Sequence, residues 1–149
     1  MPNVSAVDVG KAYFGLHHQL RRAVDQQMAC GGLTLARAKV LMHLRESGPM
    51  NQATLAGHLG FAPRSVTDTV DALVRDGLVT RKDCPNDRRA RIVALTPAGQ
   101  EASDRAVVIR LEAMEEIFGS LSTADRAALV ALLTKIGNNL PSGETVSVS

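Results

Sequence analysis

No apolar run in this chain approaches the ~18 residues that a membrane span requires. The N-terminus also lacks the basic-then-apolar order of a secretory signal, so a cytoplasmic protein is expected. Catalytic signatures are missing as well: there is no Gly-rich phosphate cradle, no paired-carboxylate pattern and no nucleophile elbow, which argues against an enzyme. Neither Cys-x-x-Cys nor His-x-x-x-His occurs, and His17, His18, His43 and His58 are too scattered to form a metal motif by spacing. Neither a metal nor a cofactor is expected. Cysteine is scarce; Cys30 and Cys84 read as plain reduced thiols of a cytoplasmic chain. The charge balance excludes little, because 17 basic and 15 acidic residues leave a net charge of only +2. There is no internal repeat, and the one biased stretch is a polar tail, 141–149, expected to be disordered. The 149 residues are enough for one domain that buries about two-thirds of its unfolded surface.

What is present is concentrated between Asn51 and Thr96. Leu55, Ala56 and Leu59 repeat at the spacing of one helical face. Gly60 and Phe61 then turn the chain, since glycine tolerates the positive φ of a sharp helix end. Pro63 restarts a helix at a first-turn position, where its missing N–H costs nothing. Val66, Val70 and Leu73 form the buried stripe of this second helix, leaving Arg64, Thr67, Asp68 and Asp71 on other faces, and Gly77 ends it. Two β-prone runs follow, 78–82 and 91–95, separated by a turn-rich loop over 83–90. Arg81, Lys82, Arg88, Arg89 and Arg91 lie within eleven positions, opposed only by Asp83 and Asp87. Such a cluster would neutralise phosphates and release counterions. An arginine at the loop tip could enter the narrow minor groove, and Asp87 could hold the Arg89 guanidinium in a bidentate grip. The competing reading is an ordinary solvated turn.

The flanks are helical. Tyr13, Leu16, Leu20, Val24 and Met28 step by three or four along a helix from Val9, stopped by Cys30-Gly31-Gly32. Thr34 caps a helix with Leu35, Val40, Leu41 and Leu44 on its core face, closed by Gly48-Pro49. Thr96 and Pro97 start a long helix reaching about Phe118, with Val107, Leu111 and Met114 in its stripe. Ser122 and Asp125 are a capping signal for a last helix carrying Leu129, Leu132, Leu133, Ile136 and Leu140. Terminal helices this apolar in so short a chain ask for a partner surface. Otherwise they must fold back on their own core.

The stretch 33–96 resembles a winged helix-turn-helix of the MarR family, the multiple antibiotic resistance regulators. The resemblance is carried by Leu-Ala-Gly-His-Leu-Gly-Phe (55–61), Ser-Val-Thr-Asp-Thr-Val-Asp-Ala-Leu (65–73) and Asp-Gly-Leu-Val (76–79). Most specific is Asp87-x-Arg89 followed by Leu95-Thr96-Pro97-Ala98-Gly99. It extends to the flanking helices in length and order. The fold it implies is mainly α with a small β-hairpin wing: two helices, a short strand, two helices, the two wing strands and two helices. Segments 1–32 and 97–140 would dimerise, and 33–96 would bind DNA. The implied function is a regulator, by family habit a repressor, that binds a palindromic operator in double-stranded DNA as a homodimer and answers to a small-molecule effector. Non-DNA-binding adaptors and thiol-based redox regulators are the alternatives.

By resemblance and by face, Arg64, Ser65, Thr67 and Asp68 are the candidates for base-edge or nearby phosphate contact, with Arg64 matching guanine O6 and N7. Asp68 is awkward beside phosphate and could instead brace an arginine. Ala62 and Pro63 depart from the polar residues usual at this helix start, so a cap oxygen is missing. Arg89 is the choice for the minor groove with Asp87 as its brace, while Arg81, Arg88 and Arg91 fit phosphate. The family's effector pocket maps onto Tyr13, His17, Arg21, Arg37 and His43, polar groups suited to an aromatic or anionic ligand.

Overall fold

The computed structural model describes residues 3–141, so all but the first residue of the expected polar tail lies outside the described residues. The chain divides into two compact units, one up to Leu111 and the other from Glu112 onward. The boundary falls inside a continuous helix.

In the first unit, α1 spans Ala6–Cys30, three residues earlier than the apolar stripe suggests. The cause is a capping box. Ser5 Oγ accepts the Asp8 N–H, and the Asp8 carboxylate accepts the Ser5 N–H and O–H. Those bonds hold the Asp8 carboxyl below the usual carboxylate range. Met28 is fully buried and Val24 packs against the core, but Tyr13 and Leu16 at the other end of the stripe stay about half exposed. Thr34 caps α2 (Leu35–Ser47), which buries Ala38, Val40, Leu41, Met42 and Leu44. Strand β1 (Met50–Asn51) leads into α3 (Gln52–Leu59), whose first turn is capped by the Asn51 side chain. Gly60 takes the left-handed φ of 64° that its position in the turn demands. Helix α4 (Pro63–Arg75) starts without a side-chain cap, as Ala62 requires, and buries Val66, Val70, Ala72 and Leu73.

The wing is a hairpin of β2 (Val79–Cys84) and β3 (Asp87–Leu95). With β1 it forms an antiparallel sheet in the order β1-β3-β2. The expected eight-residue loop is not formed. Its two sides pair, only Pro85 and Asn86 turn the chain, and Asp83 faces Arg91 across the ladder. Pairing satisfies backbone groups that an open loop would leave to water, and long polar side chains tolerate a strand exposed on one face. The register slips between Asp83 and Cys84. Arg88 and Arg89 therefore belong to a strand rather than to a loop tip.

Helix α5 (Pro97–Phe118) leaves the sheet through Thr96. The Thr96 hydroxyl accepts the Gly99 N–H and donates to the Gly77 carbonyl, tying the helix start to the end of α4. Gly99 is obligatory there, since a Cβ would lie 1.8 Å from the Leu78 carbonyl oxygen. That approach is the physical content of the Leu95-to-Gly99 motif. In the second unit, α6 (Thr123–Asn138) is capped by Ser122 and contains no buried residue. Leu132, Leu133 and Ile136 are all exposed on it. No single helix among the described residues is long and apolar enough to cross a membrane.

Candidate nucleic-acid interface

Residues paired across an antiparallel ladder share a face. Val79 pairs with Leu95 and Arg81 with Val93, so Val79, Arg81, Val93 and Arg91 share one face of the wing. Its base is apolar, with Val79 and Val93 buried. Toward the tip it becomes cationic. Arg81, Arg89 and Arg91 line a cavity of about 510 Å³ that Gln52, Thr67 and Asp71 also line. A cationic cleft thus lies between the helix pair α3–α4 and the wing.

Arg81 organises this cleft. Its guanidinium reaches from β2 to the Asp71 carboxylate on α4 and to Gln52 Oε1 on α3 at 3.5 Å. Only 19% of its side chain is exposed, against 51% for Asp71. Gln52 Nε2 donates to Thr67 Oγ1 at 3.0 Å, and the Thr67 hydroxyl donates to the Pro63 carbonyl. Wing, α3 and α4 are therefore joined by one polar chain, Arg81–Gln52–Thr67, with Asp71 neutralising its cation. This alters three expectations. Arg81 is engaged inside the protein rather than held out for phosphate, Thr67 is half-buried and pinned to α3, and the acid that braces an arginine is Asp71 rather than Asp68.

Asp87 also differs from expectation. Its Oδ1 accepts the Arg89 backbone N–H at 2.9 Å, so it shapes the turn and does not grip the Arg89 guanidinium. This is the local side-chain-to-backbone bond that aspartate makes two residues ahead. Arg64, Ser65 and Asp68 are exposed on α4, and Arg89 is exposed on β3. Arg91 Nε lies 3.8 Å from Asp83 Oδ1, a loose, solvent-exposed pair. Arg88 is described in its backbone alone, on β3.

The five candidate effector residues make several separate contacts. Tyr13 stacks on His17 one turn along α1, with ring centroids 6.0 Å apart. Arg37 pairs with Asp76 at 3.0 Å, linking α2 to the end of α4. His43 meets His58 of α3. Arg21 lines a cavity of about 360 Å³ beside His18, Arg22 and Asp25 where α1 meets the start of α2. Cys30 is exposed, Cys84 is half-buried, and both are free thiols.

The contacts of Gln52, Asp71 and His58 are not legible in the local sequence. Their partners sit ten to 29 positions away, beyond the reach of any local pattern.

A helix-turn-helix followed by a cationic β-hairpin, with long helices before and after, defines a winged-helix protein. A model of the MarR family matches residues 33–90. The chain is 32% identical over 120 residues to the HTH-type transcriptional repressor NicR of Pseudomonas putida, covering 80% of this chain and 76% of that protein. It belongs to the MarR family and is a transcriptional regulator. Among solved structures, a MarR-like transcription regulator from Bacillus cereus superposes with a TM-score of 0.84 at 24% identity, over 90% of this chain and 96% of that one. A mutant MarR of E. coli complexed with operator DNA superposes with a TM-score of 0.76 at 25% identity, over 86% and 92%. These relatives are regulators and not enzymes.

Proposed function

We propose that this protein is a repressor that binds a two-fold symmetric operator in double-stranded DNA as a homodimer and leaves it on binding a small anionic or aromatic ligand. The observation that carries the reading is the arginine-lined cleft between α4 and the wing. The chain's likeness to a mutant E. coli MarR complexed with operator DNA supports the same conclusion. Segment 33–96 supplies the reading head. Arg64, Ser65 and Asp68 face the major groove from α4, with Arg64 set against guanine. Arg89 enters the minor groove, and Arg88 and Arg91 meet phosphate. Arg81, Thr67 and Asp87 shape the head rather than touch bases.

Dimerisation through 1–32 and 97–140 is supported by apolar side chains that one chain leaves in solvent: Val7 and Phe14 on α1, and Leu132, Leu133 and Ile136 on α6. Two heads related by a two-fold axis would meet successive major grooves about 34 Å apart. The ligand reading draws on the Arg21 cavity, whose arginines suit a carboxylate. Such work belongs in the cytoplasm, beside the chromosome. The test is selection of duplexes from a random pool by the purified protein. Enrichment of an inverted repeat is expected; a pool that stays unenriched contradicts the reading.

A further inference from the structure

Folding brings together two histidines fifteen positions apart in sequence. Nε2 of His43 on α2 lies 3.0 Å from Nδ1 of His58 on α3, and the rings meet edge to face with centroids 5.1 Å apart. We propose that this pair chelates a divalent transition-metal ion, zinc or nickel in class, and so staples α3 to α2.

Two imidazoles each about 2.05 Å from one ion hold their nitrogens about 2.9 Å apart at a right angle and about 3.4 Å apart in a tetrahedron. The observed separation falls inside that window. Without metal, one ring N–H donates to the other ring's nitrogen. When the ion enters, the donating ring moves its proton to its other nitrogen, and both facing lone pairs bind the metal. A neutral pair loses no proton in the exchange. The two helices are already held apart at this distance by the core, α2 through Val40, Leu41 and Leu44 and α3 through Leu55 and Ala56. The helix backbones are therefore already set, and binding asks only that the two rings turn their lone pairs from one another onto the ion. His58 is exposed and His43 half-buried, so the ion enters from solvent and water completes its coordination. Imidazole donors select zinc, nickel or copper over magnesium and calcium. The consequence reaches the DNA-facing cleft, because α3 begins at Gln52, the residue that joins Thr67 to Arg81.

The experiment is thermal unfolding of the untagged full chain in the presence of zinc, nickel or magnesium chloride. Zinc or nickel at tenfold excess over its dissociation constant should raise Tm by about 4 °C, and magnesium should leave it unchanged. His43→Gln and His58→Gln should each abolish the rise, while His18→Gln keeps it. An unresponsive wild type, or an equal rise in both glutamine variants, overturns the proposal. Should a variant not fold, histidine-ring NMR of the wild type decides. Zinc must shift the His43 and His58 signals before those of His17 and His18, and the reverse order overturns the site.

Discussion

The Arg81 guanidinium sits where three elements meet, and its partners make its role measurable. A part-buried ion pair with one exposed partner is worth about 1 kcal/mol. A double-mutant cycle on Asp71→Ala and Arg81→Ala, read by urea unfolding, should return a coupling of about that size. Additivity of the two changes would refute the brace. Arg89 presents the opposite case, with an exposed side chain and a backbone N–H held by Asp87. Arg89→Ala should weaken duplex binding by about tenfold or more with Tm unchanged, as measured by anisotropy and thermal melting on the same sample. The difference between these two arginines is not written in local sequence, where both belong to one basic cluster. It comes from the fold, which sets the Asp71 carboxylate and Gln52 against the Arg81 guanidinium and leaves the Arg89 side chain exposed. Asp71 lies ten residues from its partner, on another element, where no local pattern points to it.

At the scale of elements, periodicity and punctuation located every helix, because each is bracketed by a cap, a proline or a glycine. The ends of α5 and α6 follow from Pro97, Ser122 and the apolar spacing. The wing was legible as a hairpin but not in its length, since turn-forming residues in 83–90 conceal strands that the ladder extends. The start of α1 was hidden for a different reason: Ser5 and Asp8 lie outside the apolar stripe that marks the helix. Where α5 begins, the Leu95-to-Gly99 motif becomes a steric statement. Gly99→Ala drives a methyl group into the Leu78 carbonyl and should cost about 2–3 kcal/mol, as overpacking does. Chemical denaturation should show the midpoint falling with an unchanged slope, and an unshifted midpoint would mean that the chain relaxes freely there.

For the whole molecule, the question is what covers the apolar side chains that one chain leaves exposed. Leu133 and Ile136 are 43% and 50% exposed on α6, and α6 buries none of its residues within the described chain. Replacing both with aspartate should leave helicity intact, yield a monomer in sedimentation and weaken duplex binding together with the lost second head. A wild type that already sediments as a monomer would contradict the dimer. An excess of apolar helix was legible in the sequence, and the described residues leave much of it exposed. Which surfaces meet was not legible, because no intrachain contact records it. The central claim, a cationic cleft shaped for duplex DNA, is tested most directly by the salt dependence of binding to a selected duplex. Each phosphate neutralised contributes about −0.9 to the slope of log affinity against log salt. A steep slope is expected, on the order of −4 or beyond, becoming shallower in Arg89→Ala; a flat slope shared by both proteins would overturn the DNA-binding role of the cleft.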